Sequence, residues 1–125
     1  MEIDTKLVQL LMEVGYLAGG HGFFDESIKI FEGIYAVRPE SEYPLIGMAV
    51  TRMNARKYEE AVKILWGKAL KVNPESDLAK SFLGLALKMA GLTSESQTLL
   101  REVVEANRCE EAVSMAKNLL EEIGR

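Results

Sequence analysis

Few side chains in this sequence could do chemistry, and they do not gather. His21 is the lone histidine and Cys109 the lone cysteine. A metal centre needs several nitrogen, sulfur or carboxylate donors at ligand spacing, and His21 has no cysteine or second histidine near it. Cys109 stands close to a predicted helix start, where the helix dipole can acidify a thiol. No histidine accompanies it as a base, so a catalytic thiol lacks its partner. Gly19-Gly20-His21-Gly22 has the look of a phosphate cradle. A phosphate loop follows a strand and ends in Lys-Ser/Thr, whereas this run follows an apolar helical stretch and lacks that ending. Helix termination explains it, because glycine tolerates the left-handed conformation that closes a helix. The residues therefore predict no enzyme, no metal and no cofactor.

The elements that hold these residues belong to a chain that is 48% apolar and 27% charged, an ordinary balance for a soluble protein. Its 125 residues suit one domain, 1–125, with a buried core. No apolar run approaches the ~18 residues of a membrane span, and a signal peptide's basic lead is missing. One cysteine fits a reducing compartment, so the expected location is cytoplasmic, with no membrane partner. A net charge of -4 weighs against nucleic acid. The middle of the chain, 43–76, is basic and lies between two acidic parts. That pattern could steer a partner, although solvated outer faces account for it more simply.

A longer spacing organises the rest. Gly15 and Gly22 stand seven apart, as do Gly84 and Gly91. Sixteen positions after the leading glycine comes a bulky residue, Phe31 in the first case and Leu100 in the second. The middle of the chain keeps the frame with Ala49, Leu65 and Pro74, and Pro-Glu-Ser recurs from Pro39 and from Pro74. Gly15, Ala49 and Gly84 are 34 and 35 positions apart. Such a period, built as helix-turn-helix, is the tetratricopeptide (TPR) signature. The chain resembles a TPR protein with units over about 8–41, 42–76 and 77–109. The resemblance implies an all-α helical solenoid of three helix-turn-helix repeats, closed by a capping helix over 110–124. The second helix of unit two carries one residue more than the pattern. Arg52, Arg56, Lys80, Thr93 and Arg108 depart from it, Arg108 standing where proline is usual.

Taken in order, Asp4 or Thr5 is expected to cap the first helix, Asp25 the second, Ser41 the third, Ser76 or Asp77 the fifth and Ser94 the sixth. Pro44 falls in a first turn, where its missing N–H costs nothing. Trp66, one position after Leu65, is expected in the core or between units. The last helix, about Glu110 to Ile123, gathers Ala112, Val113, Met115, Ala116, Leu119, Leu120 and Ile123 on one face. Its other face is polar, the form of an element that stops a stack from growing.

The second helices are amphipathic, but the first helices are apolar nearly all round, a pattern that demands cover on every side. In a TPR stack the first helices line the concave surface, so that surface is either filled or an interaction site. The family's groove positions fall on Gln9, Met12 and Tyr16, then Tyr43, Ile46, Val50 and Met53, then Leu78, Ser81, Leu85 and Met89. Their methionines and aromatics suit an amphipathic helix; plain core packing is the alternative. A clamp for a chaperone's C-terminal carboxylate is not expected, since Met12 and Tyr16 occupy positions where that anion needs Lys and Asn. Within the family the chain resembles the small type III secretion chaperones that hold the needle subunit before export. That resemblance implies a needle-subunit helix in the groove and a small helical co-chaperone beside it. The alternative is a self-associating scaffold, a homodimer without a client.

Overall fold

Every regular element in this computed structural model, which describes residues 4–124, is a helix. The chain runs α1 (Thr5–Gly20), α2 (Phe24–Val37) and α3 (Tyr43–Asn54). Next comes α4 over residues 58–72, then α5 (Asp77–Met89), α6 (Thr93–Ala106) and α7 (Glu110–Ile123). Each helix packs on its successor, and α1 also meets α3 while α5 meets both α3 and α7. This is how a stack of helical hairpins buries a face that no hairpin could bury alone.

The seven-residue glycine spacing has a backbone cause. The first helix of each pair ends in the same reversed turn, with Phe23 N–H donating to Ala18 O, Lys57 N–H to Arg52 O and Leu92 N–H to Leu87 O. These bonds, at 2.9, 2.8 and 2.8 Å, close a Schellman motif whose penultimate residue must be left-handed. Gly22 and Gly91 take that place at φ of 86° and 87°, and Arg56 takes it in the middle pair at 62°.

The sixteen-residue spacing is a packing constraint. A Cβ on Gly15 would stand 2.7 Å from Phe31 Cζ, and one on Gly84 would stand 2.4 Å from Leu100 Cδ2. Phe31 and Leu100 are fully buried, so each bulky side chain lies against the bare backbone of its own first helix. Gly47 of α3 meets Phe31 from the other side, its notional Cβ 2.4 Å from the ring. Ser27 and Ser96, each twelve positions after the leading glycine, turn their hydroxyls back onto Gly15 O (2.7 Å) and Gly84 O (2.6 Å). The polar atoms are thereby satisfied without leaving the core.

Three expected caps move. Asp4 caps α1 by accepting from Lys6 N–H, and Ser76 caps α5 by accepting from Ala79 N–H. The N-cap of α2 is Phe23 rather than Asp25, and that of α6 is Leu92 rather than Ser94. The Schellman turn runs straight into the next helix, so the residue after the glycine takes the cap position. Asp25, Glu26 and Glu95 are carried into first turns, where negative charge meets the positive helix end. In α3 the N-cap is Glu42 rather than Ser41, although the Ser41 hydroxyl still accepts from Tyr43 N–H at 3.2 Å.

The extra residue of α4 is absorbed as a π-helical turn over Leu65–Ala69, between α-helical Tyr58–Ile64 and Leu70–Val72. The wider turn keeps Ala61, Leu65 and Ala69 all fully buried. Trp66 is left outside at 67% exposure, which corrects its expected place in the core. Deleting Gly67 should restore an uninterrupted helix of the 14 residues found in α2 and α6, changing stability by no more than about 1 kcal/mol. Deleting Gly33, in the unbroken α2, should cost about 3 kcal/mol or more, because Ile34 rotates out of the core. Urea denaturation of the two deletion variants compares them directly.

Candidate partner-binding face

The seam that closes the stack also shapes its inner face. Arg108 donates from Nε and Nη2 to the two carboxylate oxygens of Asp77 at 2.9 and 2.8 Å, and it also pairs with Glu75. The Asp77 carboxylate beside it, and then Glu75, hold the Arg108 guanidinium well above its ordinary value. Asn73 makes the equivalent bond one unit earlier, to Glu42 at 2.9 Å. Ser81 donates to Ala112 O at 3.0 Å and Lys88 pairs with Glu122 at 2.7 Å, which fixes α7 alongside α5.

Residues predicted for the inner face fall into three groups. Gln9, Met12, Tyr16 and Tyr43 come together in an open hollow of about 590 Å³ between α1 and the start of α3, with Ile34 and Pro44 also lining it. Tyr43 is 53% exposed and Tyr16 38%. The Tyr16 ring stands edge-on to Phe31 at 5.0 Å, and its partial burial raises the phenol above its usual value. Val50, Met53 and Leu78 are half-buried against the main core, and Met89 is exposed.

The remaining three depart from an open groove. Ile46 is 1% exposed and belongs to the core, because Pro44 to Ala49 are all buried where α3 is enclosed by α1, α2, α4 and α5. Leu85 is half-buried against the cluster formed by α6 and α7, so it lies in the closing seam. Ser81, carried over with the groove positions, is fully buried by its bond to α7. Nor is the hollow free of charge, since Glu13 and Arg38 also line it.

One apolar surface escaped the sequence reading. Leu7, Leu10, Val14 and Leu17 form an exposed ridge along α1, at 41–62% exposure. Their i, i+3, i+7 and i+10 spacing was the available signal, masked by the apolar character of the whole helix. His21 is exposed at the end of α1, and the Cys109 thiol donates weakly to Glu111 at 3.5 Å. Among the described residues no cluster of His, Cys, Asp or Glu could hold a metal ion, and no helix is long and apolar enough to cross a membrane.

No family model matches the sequence, and no curated protein matches it. Solved structures do. The first TPR of Spaghetti (RPAP3) bound to an HSP90 peptide superposes with a TM-score of 0.78 at 21% identity, covering 98% of this chain and 96% of that one. The Yersinia enterocolitica type III secretion chaperone SycD, in complex with a peptide of the translocator YopD, gives 0.74 at 17% identity over 99% and 97%. The Sgt2 TPR domain from Aspergillus fumigatus gives 0.76 at 21% over 97% and 79%. The chain has the TPR fold, an all-helical solenoid, and within it resembles the type III secretion chaperones among other TPR domains.

Proposed function

We propose that the chain is a protein-binding chaperone or adaptor that holds an amphipathic helix of a partner along the face of α1, α3 and α5. The observation that supports this is the open hollow in which Met12, Tyr16 and Tyr43 stand partly exposed; the half-buried Val50, Met53 and Leu78 and the exposed Met89 would extend the face along α3 and α5. Exposed apolar side chains gathered in a concavity mark an interaction site, and methionine adapts to an irregular apolar partner. Glu13 and Arg38 at the edge would set the orientation of the bound helix. The client we favour is a type III secretion needle subunit, whose assembly helix must be hidden until export, with a small helical co-chaperone sharing the work. The peptide-bound chaperone SycD and the CopN–Scc3 complex support the class of partner.

The experiment is a calorimetric titration with two peptides. The amphipathic helix of a needle subunit should bind with a Kd on the order of 1 μM. A peptide ending Glu-Glu-Val-Asp should bind at least about tenfold more weakly, because Met12 and Tyr16 offer its carboxylates no cation or amide and Glu13 lines the hollow together with Arg38. The reverse order of affinities would sink the reading.

The ridge on α1 favours a second reading, self-association. Four exposed apolar residues on one helix form a self-complementary stripe of the kind that two-fold pairing covers. Sedimentation of the chain alone distinguishes the readings: a dimer that survives dilution supports the scaffold, and a monomer supports the client-binding chaperone.

A further inference from the structure

A second apolar groove lies on the other side of the stack. It measures about 590 Å³, with Leu83 and Leu87 of α5 for its floor and Trp66 of α4 and Leu99 of α6 among its lining. Met89 sits two residues past Leu87, about 200° round α5 from this floor, so the groove is separate from the concave face. Trp66 is the most exposed large apolar side chain among the described residues, and it projects from the π-helical turn. Such turns are often retained at functional sites. The groove's charge is one-sided. Glu95 and Glu102 line it together with Ser94 and Thr98, and no basic residue does. Among the described residues neither glutamate makes an ion pair. They are seven residues apart on α6, which places them about 10 Å apart along one face.

We propose that this groove is a second protein-docking site, taking an amphipathic helix whose apolar face seats on Trp66, Leu92 and Leu99 over the buried Leu83 and Leu87, and whose Lys or Arg residues, two turns apart, meet Glu95 and Glu102. The charge pattern chooses the partner. An acidic helix would be repelled, and an uncharged one would leave both carboxylates beside apolar surface without a counterion. The site does not depend on what occupies the concave face.

Trp66 is the chain's sole tryptophan, so its emission reports the groove directly. The probes are two synthetic helical peptides of equal length, one of Leu and Lys and one of Leu and Glu. The Leu/Lys peptide is expected to shift Trp66 emission to the blue and saturate, while the Leu/Glu peptide leaves it unmoved. Glu95→Gln with Glu102→Gln should weaken that binding about tenfold. The control pair Glu110→Gln with Glu111→Gln, on α7, should stay within about twofold. An equal loss in the control pair would reduce the effect to net charge and overturn the proposal, as would an equal shift by both peptides or none by either. A blue shift that grows with protein concentration alone would make a second copy the occupant and overturn it too.

Discussion

Gly47→Ala should destabilise the protein by about 2 kcal/mol, while the same substitution at Gly33 should stabilise it by about 1 kcal/mol. In α2, a Cβ at Gly33 meets nothing within 4 Å, so only the better helix propensity of alanine is felt. In α3, a Cβ at Gly47 would lie 2.4, 2.6 and 2.7 Å from three atoms of the Phe31 ring. That ring cannot retreat: it is fully buried, Tyr16 packs edge-on against it and the backbone of Gly15 faces it. Overpacking of this kind outweighs the propensity gain. Thermal unfolding should place the Gly47 variant about 8 °C below the wild type. Adding Phe31→Leu, a smaller and more compliant side chain, should recover part of the loss; additivity between the two substitutions would show that the contact is not the cause.

Tyr43→Asp should weaken client binding by about 100-fold, the effect of setting an unpaired carboxylate into an apolar interface. The same change should leave helix content near that of the wild type, because Tyr43 is 53% exposed and α3 is anchored by Leu45, Met48 and Ala49 beneath it. Tyr43→Phe should bind within a few-fold of wild type. Circular dichroism alongside titration of the needle-subunit helix peptide tests all three. Tyr43→Asp binding at wild-type strength would remove the hollow from the binding face. An Asp at Ile46 could not serve, since that side chain holds the core and its loss would unfold the helix pair.

Much of the fold was legible in the sequence because its cause is local. A Schellman turn needs a left-handed residue a fixed distance from the helix end, so Gly22 and Gly91 recur seven after Gly15 and Gly84. A bulky side chain lying on bare backbone needs glycine sixteen earlier, so Phe31 and Leu100 announce Gly15 and Gly84. The closing helix was visible from its one-sided apolar pattern, and it spans Glu110–Ile123 as expected. Even the inserted residue of α4 was countable, although counting could not say that a π-helical turn would absorb it.

What only the tertiary structure decided is which apolar faces are covered. The first helices read alike, yet α3 is buried on nearly every side while α1, with neighbours on fewer sides, leaves Leu7, Leu10, Val14 and Leu17 in water. Ile46 and Tyr43 are three residues apart on one helix and end at 1% and 53% exposure. Leu85 faces the closing helix and Trp66 the solvent because α7 docks beside α5 and the turn of α4 widens. Periodicity assigns a side chain to a face of its own helix. Exposure depends on how many other helices reach that face, and no spacing within one helix records that number.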